Sequence, residues 1–280
     1  MTNQALFTEI SRDCSRNTTK KYSTSFSSAI NLLHKDLRQP IHDIYGFVRF
    51  ADEIVDTFHD FPKKELLEEF KIETYKAIER KISLNPILNS FQDTVNTYQI
   101  DLNLIDAFLY SMEMDLKETN YDRSGYEKYI YGSAEVVGLM CLHVFCNGDK
   151  SMYKKLEPGA KSLGAAFQKV NFLRDVKADF EGLSRMYFPN CDFKNFTLTD
   201  KLAIEKDIQI DFDNAYLAIT QLPIKARFGV YVAYKYYLSL FNKIKHVQPQ
   251  AILNTRIRIP DYNKMYILAK AGVRSQLNIL

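Results

Sequence analysis

The sequence predicts a single all-α domain. Apolar residues recur at helical spacing along almost the whole chain. No segment shows the sustained alternation of a half-buried strand. The 280 residues include only 10 Gly and 8 Pro, too few for the many turns of a sandwich or barrel. At 46% apolar and 25% charged, the chain has material for a large core and is not disordered. No stretch has linker composition and no repeat recurs at a fixed period, so residues 1–280 read as one domain.

The first strong element spans about 41–58, where apolar residues at 44, 47, 48, 50, 51, 54, 55 and 58 form a broad stripe. Pro40 suits its first turn and Pro62 follows its end. Residues 63–81 read as an amphipathic helix with a charged outer face, broken by Asn85-Pro86. Further helices are predicted at about 87–98, 101–117, 126–146, 152–180, 199–220, 223–246 and 260–275. Gly125, Asn147-Gly148, Gly182 and Pro223 punctuate them, and Gly182 to Leu198 reads as a loop.

A formal net charge of +3 lacks the footprint of a dedicated nucleic-acid binder. Cys14, Cys141, Cys146 and Cys191 show neither Cys-x-x-Cys nor zinc-finger spacing, so reduced, buried thiols in a cytoplasmic protein are expected. No signal peptide is visible. The longest apolar run, Val136 to Cys146, is shorter than a spanning helix.

Two stripes of acids stand out. Tyr45, Arg49, Asp52 and Asp56 follow i, i+4, i+7, i+11 on an otherwise apolar helix. Acids four apart are common by chance, and Glu65, Glu69 and Glu73 sit among lysines as a solvated face does. On their own, Asp52 and Asp56 fit equally an ordinary surface carrying an Arg49–Asp52 pair. Gln168, Asn171, Asp175 and Asp179 make a second stripe at i, i+3, i+7, i+11. If the two helices face each other, four carboxylates converge, which requires cations. Hard oxygen ligands suit Mg²⁺, which divides its coordination between carboxylates and substrate phosphates.

These segments resemble the squalene/phytoene synthase family, the head-to-head isoprenyl diphosphate synthases. The family's opening pattern is matched by Tyr22-Ser23-Thr24-Ser25-Phe26 and by Ile44 through Asp56. Its middle pattern is matched by Tyr129 through Gly138, and its later signature by Leu163 through Asp175 and Arg185 through Pro189. Within the family the chain is most similar to bacterial phytoene synthases. It departs from the family at Ala178, where Glu is frequent, and at Ser133-Ala134-Glu135, where Val-Ala-Gly is common.

The resemblance implies a helical isoprenoid synthase fold with a central apolar cavity. It implies condensation of two geranylgeranyl diphosphates to phytoene through a cyclopropyl diphosphate, with Mg²⁺ or, in its place, Mn²⁺. The alternatives are squalene or dehydrosqualene synthesis from farnesyl diphosphate, and a non-enzymatic assembly factor of the same fold. Asp52, Asp56, Asn171, Asp175 and Asp179 match the family's metal positions. Ser23, Ser25, Arg49, Arg174 and the C-terminal Arg256, within Arg256-Ile257-Arg258 and near Lys264, match positions that hold or close over the diphosphates; Gln168 lines the same stripe. Tyr45, Tyr129 and Tyr237 are expected near the reacting carbons. Gly138, Gly164, Ala165 and Ala166 serve either tail passage or close helix packing. Isoprenyl diphosphates are the expected partners, with peripheral contact at the inner membrane.

Overall fold

The computed structural model describes residues 2–117, 121–182, 187–189, 191, 196–253 and 257–276, the side chains at 177–182, 261, 275 and 276 excepted. Among them the regular structure is helical: α1 (Asn3–Tyr22), α2 (Thr24–Ile30), α3 (Lys35–Asp56), α4 (Lys63–Arg80), α5 (Pro86–Tyr98), α6 (Leu102–Asp115) and α7 (Arg123–Ile130), a π-turn (Tyr131–Glu135), then α8 (Val136–Cys146), α9 (Lys150–Gly182), α10 (Leu198–Ile219), α11 (Ile224–Lys245), α12 (Pro249–Ile252) and α13 (Asp261–Gln276). Local chemistry sets many of these ends. Asn85 accepts from the backbone N–H groups of Ile87 and Leu88 with Pro86 behind it, and Thr197 and Asp200 form a reciprocal capping box. Asn147 and Gly148 turn the chain out of α8 at φ 47° and 89°.

Three sequence expectations are corrected. α3 begins at Lys35, not near residue 41, so Pro40 lies inside the helix rather than in its first turn. Helices α1 and α2 precede the first one that the apolar pattern marks. α1 escapes that pattern because its buried stripe is polar: Ser11, Ser15 and Thr19, four apart, are fully buried against α3 and α5. Asn89 donates to Ser11 Oγ at 3.0 Å, and Thr19 Oγ1 donates to the Ser15 carbonyl at 3.0 Å. Third, α7, the π-turn and α8 join into one rod, Arg123–Cys146, which is long and apolar enough to cross a membrane by length and composition alone. In the fold it is a core helix: Val136, Leu139, Met140 and Val144 enter one apolar cluster, and Leu142 and Cys146 the other.

Those two clusters meet across a cavity. One is built on α3 to α6 and α8, the other on α9, α10, α11 and α13. α9 packs directly on α8 and α10, whereas α3 packs on α1, α5 and α8. Gly138 lets α8 touch α9 and Gly164 lets α9 touch the π-turn: a Cβ at Gly138 would lie 2.7 Å from the Ala160 carbonyl oxygen, and one at Gly164 would collide with that of Ala134. Of their two roles considered above, close packing is the one this geometry requires. Ala165 and Ala166 are buried in the core. Cys14, Cys141 and Cys146 carry free thiols; of the four cysteines Cys146 alone is buried, while Cys14, Cys141 and Cys191 are partly exposed.

Candidate active site

The cavity measures about 580 Å³, within the range of small-molecule sites. Each wall helix is graded along its length. On α3 the lining runs Ile41, Tyr45, Arg49, Asp52, Asp56; on α9 it runs Leu156, Ala160, Leu163, Gln168, Asn171, Asp175. On α11 it passes from Gly229 and Val230 through Ala233 to Tyr237, and α8 contributes Phe145, Cys141 and Gly138. One end of the hollow is thus polar and the other apolar. From Leu156 to Asp175 the wall covers about 28 Å at 1.5 Å per residue.

At the polar end the two acid stripes border the same space: Asp52 and Asp56 from α3, Asn171 and Asp175 from α9. Gln168 joins them, its amide 3.4 Å from Ser133 Oγ. Tyr237 donates to Asn171 Oδ1 at 3.3 Å and stacks on Phe167 at 3.9 Å. Arg174 holds Asp175 through Nε at 3.0 and 3.1 Å. Arg49 does not take the Asp52 pairing; it binds Glu53 one turn on and lies 4.3 Å over the Tyr22 ring. Its Nε is buried without a hydrogen-bond partner, a donor suited to an anion. Ser23 caps α2, its hydroxyl accepting from Phe26 N–H at 3.2 Å, and lines the same cavity. A second hollow of about 610 Å³ adjoins the first, sharing Tyr22, Ser23, Arg174 and Tyr237 and adding Ser25, Arg258 and Lys264. Arg256 and the side chain of Asp179 lie outside the described residues.

Aromatic rings line the walls beyond the polar end. Tyr45 stacks on Phe26 at 5.3 Å, and burial pushes its hydroxyl up to about 12, Arg49 opposing and Asp52 reinforcing the shift. Tyr129 packs against Tyr121, Tyr187 and Phe172. The π-turn begins two residues beyond Tyr129, and there Val136 N–H reaches back to the Tyr131 carbonyl; such wide turns cluster at functional sites.

Sequence patterns missed the residue that anchors this aromatic group. Asp115, last in α6, is buried and lines the cavity. Tyr129 donates to its Oδ2 at 2.7 Å, while Tyr121 and Tyr187 reach its Oδ1 at 3.4 and 3.5 Å. Tyr129 spends its hydroxyl hydrogen on Asp115, so its oxygen offers lone pairs to other neighbours. Burial first, then the Asp115 charge, hold the Tyr129 hydroxyl well above the usual tyrosine range. It is a neutral phenol, not a phenolate base. A lone acid in Met114-Asp115-Leu116 carries no motif; its only signal is an acid at an inward-facing position of an apolar helix.

The donor set fits a magnesium ion. Among the described residues no three His, Cys, Asp or Glu gather closely enough to hold a metal by themselves. Carboxylates and an amide approach one hollow from two helices instead, and Mg²⁺ favours such partial sites, completed by water and phosphate.

Helices form most of the wall of a cavity graded from acids to hydrocarbon, and solved structures show this to be the isoprenoid synthase fold. A dehydrosqualene synthase in complex with ligand matches at TM-score 0.80 and 20% identity, over 96% of this chain and 98% of its own. A squalene synthase from Alicyclobacillus acidocaldarius matches at TM-score 0.73 and 18% identity, over 89% and 96%. The chain belongs to the squalene/phytoene synthase family, whose model matches residues 19–209. It is 30% identical to a 4,4'-diapophytoene synthase of Staphylococcus haemolyticus (strain JCSC1435) over 197 residues, 67% of this chain and 65% of that protein. It is 27% identical to a phytoene synthase of Arthrospira platensis over 289 aligned positions, 94% and 92% of the two chains.

Proposed function

We propose that this chain is a prenyltransferase that joins two geranylgeranyl diphosphates head to head, giving phytoene through a cyclopropyl diphosphate. The observation that carries this is the gradient of the cavity. Charge sits at one end, and about 28 Å of α9 wall leads away from it. An allylic diphosphate has the same polarity, an anionic head on a hydrocarbon tail.

Asp52, Asp56, Asn171 and Asp175 would hold Mg²⁺, or Mn²⁺, with Asp179 on the same stripe. The ion supplies neutralisation of the charge that develops on departing diphosphate. Arg49, through its unpartnered Nε, would bind the diphosphate, together with Arg174, Ser23 and Ser25. Arg258 and Lys264 would close the adjoining hollow over it. Tyr237 would position Asn171, and Gln168 would line the diphosphate end of the cavity.

Loss of diphosphate leaves an allylic cation that must not meet water. Tyr45, Tyr129, Phe172 and Tyr237 line the space the cation would occupy, where ring faces and hydroxyl oxygens would stabilise it. Tyr129, neutral and fixed by Asp115, would steer the cation by its oxygen dipole. It can take up the final proton only by releasing its own to Asp115. We also infer a cytoplasmic enzyme in peripheral contact with a membrane that holds its lipid-soluble substrate and product.

A second assignment, a shorter farnesyl-type substrate, is favoured by the name of the Staphylococcus relative. One incubation separates them. The chain, with Mg²⁺ and either geranylgeranyl or farnesyl diphosphate and without reductant, is expected to yield a hydrocarbon from the longer substrate. Product from farnesyl diphosphate alone would overturn the first assignment. No turnover and no Mg²⁺-dependent diphosphate binding would leave the assembly-factor alternative.

A further inference from the structure

Helix α13 is apolar on two sides. Its inner side packs on α11, with Ala271 buried and Ile267 and Leu268 against the core. Its outer side carries Tyr262, Met265, Tyr266, Ala269 and Val273, at i, i+3, i+4, i+7 and i+11. That spacing confines them to an arc of about 100°. Tyr262, Met265, Tyr266 and Val273 are 71%, 73%, 65% and 58% exposed. Exposed apolar residues on α10, by contrast, are interrupted by Lys206 and Asp213.

Charge is distributed unevenly in the same direction. Residues 251–280 hold five bases (Arg256, Arg258, Lys264, Lys270 and Arg274) against one acid, Asp261, a formal +4 in a chain whose total is +3. The remaining 250 residues are therefore close to neutral. Lys270 is exposed beside the apolar arc, and Arg258 is exposed just before the helix begins. Arg258, Ile259, Pro260 and Lys264 line the second hollow, so α13 starts at the mouth of the site.

We infer that the outer face of α13 is a docking surface for an anionic lipid bilayer, with Tyr262, Met265, Tyr266 and Val273 seated in the interface beside the cavity mouth. An apolar arc, interfacial tyrosines and a basic flank are what an interface-lying helix needs. Sixteen residues reach only about 24 Å, short of the roughly 30 Å hydrocarbon core, so the helix lies on the bilayer rather than across it. The inference rests on the proposed lipid-soluble substrate for its purpose: a tail leaving the bilayer at the mouth need not pass through water.

The test is flotation of the full chain with vesicles of phosphatidylcholine alone, or with one third phosphatidylglycerol, at low and high salt. Neither substrate nor metal is added, so failure of the hydrocarbon assay and failure of this surface are separate results. The native chain is expected to float with the anionic vesicles and to be released by salt. Met265→Ser with Tyr266→Ser, both exposed, is expected to weaken partitioning at least about tenfold, with circular dichroism and turnover of detergent-dispersed substrate unchanged. Lys270→Glu is expected to weaken binding to anionic vesicles only. No flotation of the native chain would overturn the inference, as would equal flotation of the double variant. A dimer by light scattering that the double variant dissociates, without vesicle binding, would assign the face to a second copy and also overturn it.

Discussion

The two ends of the cavity are made by the same helices and behave as different materials. At one end α3 and α9 present Asp52, Asp56, Asn171 and Asp175; at the other, Phe145 of α8 and Leu156 of α9 close in with Leu33 and Leu222. Polar groups at the first end hold one another or await an anion, as Arg174 holds Asp175 and Arg49 leaves Nε unpartnered. The deep end is bare hydrocarbon. Directional, charge-based contacts can fix a headgroup and stabilise a leaving anion. Non-directional burial can only measure how much tail there is. On the proposed reading, one tunnel would separate reactivity from length selection.

The largest expected effect breaks the polar end. Asp52→Ala or Asp175→Ala is expected to lower turnover at least about a thousandfold. Helicity by circular dichroism should hold, because neither acid belongs to an apolar cluster. An active variant would detach the acids from the chemistry. A smaller effect is expected halfway along the wall. Asp115→Asn and Tyr129→Phe should each cost about a hundredfold in single-turnover rate. Because one hydrogen bond joins them, the double variant should be no slower than the worse single one; additive losses would show that the two act separately. The smallest effect belongs to the deep end. Phe145→Ala should leave Mg²⁺-dependent diphosphate binding intact and shift the kcat/KM ratio between longer and shorter tails about tenfold toward the longer. An unchanged ratio would place the length limit elsewhere in the wall.

Much of the polar end is legible in sequence because helical spacing is local. Asp52 with Asp56, and Asn171 with Asp175, share faces by 3.6-residue geometry whatever surrounds them. The Phe145 end is not legible: an apolar residue facing a cavity and one facing the core look alike in sequence. Asp115 is hidden for another reason. Its partners Tyr121, Tyr129 and Tyr187 are 6, 14 and 72 residues away, so only folding makes the group. Arg49 shows a limit of spacing rules, since Asp52 and Glu53 are both within reach on the helix and the surroundings choose Glu53.

The sequence by itself determined the helical class, most helix boundaries from α3 onward, and the two stripes of acids and amides, because periodicity, caps and turn residues act over a few positions. The tertiary structure decided that those stripes look into one hollow, that Asp115 gathers three tyrosines, that α1 packs through hydroxyls, and that α13 keeps an apolar face outward. Each of these depends on which surfaces meet, and that is settled by burial summed over the whole chain rather than by any local pattern.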